Sequence, residues 1–158
     1  MTVYRIVPAE IGHVREILPN LRKADIVEGE IATGLSAEEA LTDSVMLSYE
    51  AIAAYADDCL VMLAGVAPVS LTSSVARPWM VGTDELSKHA FRLCKENRCY
   101  VKKWLAWFSY LENWVDAENK PALKWLKWLG FELEDPIPWG NSGHFFIRFH
   151  QEAKLCAS

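Results

Sequence analysis

Residues 81–86 read VGTDEL, a single-glycine turn just ahead of the stretch that carries most of the chain's positive charge. Backbone amides at a glycine turn that opens a helix are a ready site for phosphate. Val81 leads into this turn, Gly82 lets a ligand approach the backbone, and Thr83 offers an amide and a hydroxyl. The window 87–127 holds nine bases, among them Lys88, Arg92 and Lys120, against the four acids Glu96, Glu112, Asp116 and Glu118. That pattern fits a site for a small phosphorylated ligand, and it also fits two solvated helix faces. Asp84 and Glu85 place negative charge where phosphate would sit, and they suit the positive end of a helix dipole with no ligand at all.

Other residues that could do chemistry are scattered. Asp25, Glu28 and Glu30 lie in an acidic, glycine-punctuated stretch, where the plain reading is solvated loop acids. His13, His89, His144 and His150 lack metal-ligand spacing, so no metal is expected. No nucleophile-elbow motif occurs. Cys59, Cys94, Cys99 and Cys156 form no CxxC pair and read as reduced thiols, with Cys94 and Cys99 packed in helices.

The elements that must position these groups come from length and patterning. The chain has 158 residues, 51% of them apolar and 23% charged, which fits one globular domain over 1–158 with a tail from about residue 151. No apolar run is long enough for a membrane span, and the start MTVYRIVPAE has no signal-peptide pattern. The net charge of −5 argues against nucleic acid as a partner. It hides an asymmetry. Residues 1–86 carry 13 acids and 5 bases (net −8), while residues 87–158 carry 8 acids and 11 bases (net +3).

VYRIV at residues 3–7 alternates as a strand, and Ile11, Val14, Ile17 and Leu18 give a helix that Pro19 should end. Residues 20–35 predict a loop or broken helix. Ser36 and Glu39 form a capping box for a helix running to about Glu50. Residues 51–55 and 59–66 predict a hairpin about Asp57 and Asp58, its second arm apolar on both faces. Residues 68–77 predict a loop, residues 79–82 a short strand, and Thr83 an N-cap. Val101, Trp104, Leu105 and Phe108 make a core-facing helical stripe. LENWVD reads as a strand, and Asn119 with Pro121 opens a helix that Gly130 closes. Short strands at 131–133 and 144–149 finish an α/β sandwich of helices on a mixed sheet. Trp104 and Trp125 fall on core stripes, whereas Trp107 and Trp128 fall off them and Trp139 sits in a loop. Exposed tryptophans of that kind suit a protein partner.

The segment NKPALKWLKWLGF (residues 119–131) after LENWVD resembles the strand–helix–strand element of the Gcn5-related N-acetyltransferases, the GNAT superfamily. Asn119, Ala122, Gly130 and Phe131 match the family pattern, and the opening strand followed by Pro8 and Ala9 is similar too. The resemblance implies a mixed central sheet of six to seven strands with helices on both faces. It implies that residues 111–133 pair two side-by-side strands through one helix. It also implies acetyl-CoA as cofactor, held between the fourth and fifth strands by Val81, Gly82, Thr83, Asn119 and Lys120. Asp25 or Glu28 would be the base that takes the amine proton, acting through water from the loop over the acceptor site. The tyrosine that protonates the departing thiolate in typical members is here Leu126, which has no proton to give; Tyr100 or Tyr110 would have to substitute.

The strings RPWMVGTDE, LENWVDAENKPALKWLKWLGFELEDPIPWG and HFFIRF, over roughly residues 20–150, further resemble small GNAT-like proteins of short-tailed bacteriophages, described as inner virion or morphogenesis proteins. That implies a virion-structural or assembly role with a degenerate acetyl-CoA site. Its partners would be other phage or host proteins or a homo-oligomer, with an association surface around Trp128 and Trp139, and its location the host cytoplasm or the virion. The alternative is an active acetyl-CoA-dependent N-acetyltransferase for a protein or small-molecule amine.

Overall fold

The computed structural model describes residues 1–155; Cys156 lies outside the described residues. The strands β1 (Tyr4–Pro8), β2 (Glu50–Ala56), β3 (Cys59–Pro68), β4 (Val75–Gly82), β5 (Tyr110–Asp116), β6 (Glu132–Leu133), β7 (Ile137–Pro138) and β8 (Phe145–Glu152) follow the order β1-β2-β3-β4-β5-β8-β6, with β7 beside β8. The helices are α1 (Ile11–Ile17), α2 (Lys23–Thr33), α3 (Ala37–Leu47), α4 (Ala90–Trp107) and α5 (Lys120–Trp128). This is a mixed α/β sheet with helices on both faces. Contacts divide the chain into two compact units, Met1–Ala67 with Pro78–Ala90, and Pro68–Arg77 with Phe91–Ser158.

In the first unit β1, β2 and β3 form an antiparallel meander. The hairpin turn at Asp57 needs a positive φ, here 53°, and aspartate is one of the few side chains that accepts it. Its carboxylate also accepts from the Val3 amide at 2.9 Å. One core forms where α1 and α3 lay Val14, Ile17 and Leu41 over Ala53, Tyr55, Leu60 and Leu63. The Ser36 and Glu39 capping box starts α3 as expected. Residues 23–33, expected as a loop or broken helix, are instead the continuous helix α2. Gly29 weakens it by about 1 kcal/mol relative to alanine, but Gly34 closes it in the left-handed conformation (φ 71°). Thr33 adds a bond from its hydroxyl to the Gly29 carbonyl.

β4 begins at Val75 rather than at Trp79, so the end of the expected loop is strand. A residue before proline is pushed toward extended backbone, and Pro78 does this to Arg77. After β4 the chain makes a 3-10 turn, Asp84–His89, before α4; Thr83 stands at its N-cap without a side-chain bond.

In the second unit β8 pairs antiparallel with β5 over seven residues and with β6 over two. The expectation that β5 and β6 are direct neighbours is therefore corrected. α5 joins them as a parallel pair, and β8 returns antiparallel into the gap between. Phe146, Ile147 and Phe149 are buried there, as suits a strand with partners on both edges. Asn119 caps α5 by accepting from the Ala122 amide, and Gly130 (φ 92°) turns the chain out of it. Leu93, Cys94, Asn97, Val101 and Trp104 form the buried stripe of α4. Trp104 and Trp125 are buried, while Trp107 and Trp128 are 43% and 39% exposed, all as their spacing indicated. Residues 151 and 152, assigned to a tail from sequence, belong to β8.

Gly65 in β3 tests this packing. A Cβ there would lie 2.8 Å from the Glu50 carbonyl oxygen and 2.8 Å from Trp79 Nε1, whereas one at Gly12 in α1 meets nothing within 4 Å. Gly65→Ala is expected to lower unfolding free energy in urea by about 1–3 kcal/mol. Gly12→Ala should raise it by about 0.5–1 kcal/mol.

Candidate functional site

The end of β4 is closed by groups of the chain itself. Asp25, 8% exposed in the first turn of α2, accepts the Gly82 amide at 2.9 Å. The same carboxylate binds the Arg22 guanidinium from Nε at 3.0 Å and from NH2 at 3.2 Å. The Arg22 amide donates to the Gly82 carbonyl at 2.9 Å, and the Thr83 amide donates to the Val61 carbonyl at 3.0 Å. The Gly82 and Thr83 amides are therefore spent inside the protein, and a backbone amide has one proton to give. A Cβ on Gly82 would come within 2.5 Å of Leu86 Cδ2, so the glycine here admits the following 3-10 turn. Thr83 is buried, and its hydroxyl has no hydrogen-bond partner.

The bases expected to help hold phosphate are also engaged. Lys88 Nζ binds both oxygens of Glu85 at 2.9 Å, and Arg92 pairs with Glu96 at 3.2 Å. Lys120 Nζ donates to the Ala117 carbonyl at 2.9 Å. Glu28 is half-buried on α2, three residues beyond Asp25 and so on the same helical side, while Glu30 is exposed. Leu126 is half-buried on α5. The Tyr110 hydroxyl accepts from Arg148 NH2 at 3.1 Å, and its ring stacks on His150. Bonds to Glu112 and Tyr110 push the Arg148 guanidinium pKa further above its ordinary range. Burial raises the Cys94 thiol pKa, with Arg98 opposing, so this thiol is a poor nucleophile.

The structure brings together Asp25, Gly82 and Thr83 in the first unit. Asn119 and Lys120 lie in the second unit, in helix-cap roles. Two arrangements were not visible in sequence. Arg22 is one, although its i, i+3 spacing from Asp25 was a usable signal. The other is Asp116, whose Oδ2 lies 3.0 Å from His144 Nδ1 while Oδ1 accepts the Glu118 amide. Among the described residues no group of three His, Cys, Asp or Glu side chains is placed to hold a metal ion. No helix among them is long and apolar enough to cross a membrane.

No protein-family model matches the sequence, and no curated protein matches it. Solved structures do match in fold. A GNAT-family acetyltransferase from Bacillus anthracis is 12% identical, with TM-score 0.69 over 97% of this chain and 99% of that one. One from Streptococcus pneumoniae is 12% identical, with TM-score 0.67 over 96% and 100%. A spermidine N-acetyltransferase chimera from Vibrio cholerae is 13% identical, with TM-score 0.68 over 95% and 95%. The chain has the GNAT fold. GNAT acetyltransferases use acetyl-CoA, but the Gly82 and Thr83 amides already bond Asp25 and Val61, so these two residues as placed do not fit its phosphates.

Removing one partner of a buried ion pair leaves the other uncompensated. Asp25→Ala is therefore expected to cost about 3–5 kcal/mol in chemical denaturation. Arg22→Ala in the same background should cost much less than it does alone, because the pair acts as a unit.

Proposed function

We propose that this chain is a structural or assembly protein of a bacteriophage particle, built on a GNAT scaffold whose acetyl-CoA cradle is degenerate. The observation that carries the reading is the closed turn at the end of β4. Gly82 donates to Asp25, Thr83 donates to Val61, and Asp84 and Glu85 follow in the next turn. A phosphate arriving there would have to displace the buried Asp25 carboxylate from the Gly82 amide. Supporting it are the likeness of residues 77–85, 111–140 and 144–149 to small phage virion proteins, Leu126 in place of an acid, and exposed Trp107 and Trp128. Its partners on this reading are other phage or host proteins or further copies, in the host cytoplasm or the particle. Fold shared with enzymes does not carry their activity.

One observation favours a second reading, an acetyl-CoA-dependent N-acetyltransferase for a protein or small amine. The Thr83 hydroxyl is buried without a partner, which a bound ligand would correct. On that reading Gly82 and Thr83 contact the cofactor, and Glu28 takes the amine proton in place of the fully engaged Asp25.

Thermal melting with acetyl-CoA separates the two. A ligand at a hundred times its Kd stabilises by about 2.7 kcal/mol. In a domain of this size that raises Tm by roughly 5–10 °C. The assembly reading expects a rise under about 1 °C at millimolar acetyl-CoA. A rise of several degrees that Thr83→Val removes would overturn it in favour of the enzyme.

A further inference from the structure

Helices α3 and α5 carry opposite charge in the same spacing. α3 holds Glu38, Glu39 and Asp43 and no base. α5 holds Lys120, Lys124 and Lys127 and no acid. All six of these side chains are exposed. Each helix then ends in apolar surface. On α3 this is Met46 and Leu47, 68% and 70% exposed; on α5 it is Trp128. A shallow recess of about 520 Å³, lined by Leu35, Ser36, Glu38, Glu39, Thr42 and Asp43, opens at the acidic end of α3.

Residues four apart share a helix face. On α3 one face reads Glu39, Asp43, Leu47; on α5 one face reads Lys120, Lys124, Trp128. Laid along each other in the same direction, the two faces set Asp43 against Lys124 and Leu47 against Trp128. The α5 face is held in place from within. Lys124 Nζ lies 5.2 Å from the centre of the Trp128 ring, a cation–π arrangement. Arg98 of α4 donates from Nε to the Trp128 carbonyl at 2.7 Å, which joins the exposed bases of α4 to the same surface.

We propose that this chain self-associates through a heterologous contact, with α3 of one copy seated on α5 of the next. The chain itself supplies both halves of the complement, and its net charge of −5 disfavours nucleic acid as the occupant of the basic face. Because the two patches differ, a bound pair keeps one free α3 patch on one copy and one free α5 patch on the other, so association continues past two copies. Exposed ion pairs contribute only about 0–1 kcal/mol each, so the contact is weak per site and sensitive to salt. The inference rests on the assembly reading but is tested apart from it, since acetyl-CoA does not enter the experiment.

The test is sedimentation velocity of the full chain across a concentration series in low and high sodium chloride. The average mass should rise above 17.9 kDa with concentration in low salt and fall back toward it in high salt. Asp43→Lys and Lys124→Glu should each weaken association by about fivefold or more. The double variant, or an equal mixture of the two single variants, should recover most of it. Both positions are exposed, so each variant should melt with the wild type. A single 17.9 kDa species at every concentration overturns the proposal. So does association insensitive to salt, single variants that associate like the wild type, or charge reversal that fails to rescue. Capture of a single-stranded oligonucleotide by a monomeric chain, lost in Lys124→Glu, would assign the α5 face to nucleic acid instead.

Discussion

A single buried carboxylate organises the end of β4. Asp25 accepts from the Gly82 amide and from two nitrogens of Arg22, and Arg22 returns a backbone bond to Gly82. A charge taken out of water must be paired and fully hydrogen-bonded, or it costs several kcal/mol. Meeting that demand ties three pieces of chain together: the start of α2, the last residue of β4, and the turn leading to α4. The same demand uses up the donor that a phosphate would need.

Fold and site therefore part company in this protein. The GNAT architecture rests on generic devices: an antiparallel meander with an apolar central strand, a parallel strand pair bridged by a helix, and a late strand entering between them. None of these depends on a cofactor. Phosphate recognition depends on a few unspent amides and some uncommitted positive charge. Here Gly82 and Thr83 have spent theirs, Lys88 and Arg92 face carboxylates, and Lys120 caps a carbonyl. The charge asymmetry along the chain finds its expression on two helices, with acids alone on α3 and bases alone on α5.

Local signals carried well from sequence to structure. The capping box at Ser36 and Glu39, the Asn119 cap, the Gly130 exit and the stripe through Val101, Trp104 and Phe108 each involve residues within one or two turns, so spacing alone exposes them. Residues 23–33 misled because Gly29 and Gly34 read as loop punctuation, whereas one is tolerated inside the helix and the other ends it. The serines and proline of residues 68–77 concealed the first residues of β4 by the same route. The bonds that decide the candidate site were out of reach. Asp25 and Gly82 are 57 residues apart, and Asp116 and His144 are 28 apart. No periodicity links such positions. The placement of β8 between β5 and β6 is likewise a property of the whole sheet, not of any strand's own pattern.

The most direct measurement is the amide resonance of Gly82 in a nitrogen-15-labelled sample, followed by hydrogen exchange and by titration with acetyl-CoA. An amide locked to Asp25 should exchange slowly and hold its chemical shift at millimolar acetyl-CoA. Fast exchange in the free protein, or a saturable shift of Gly82 and Thr83 on titration, would mean that the turn is open to phosphate and would contradict the account.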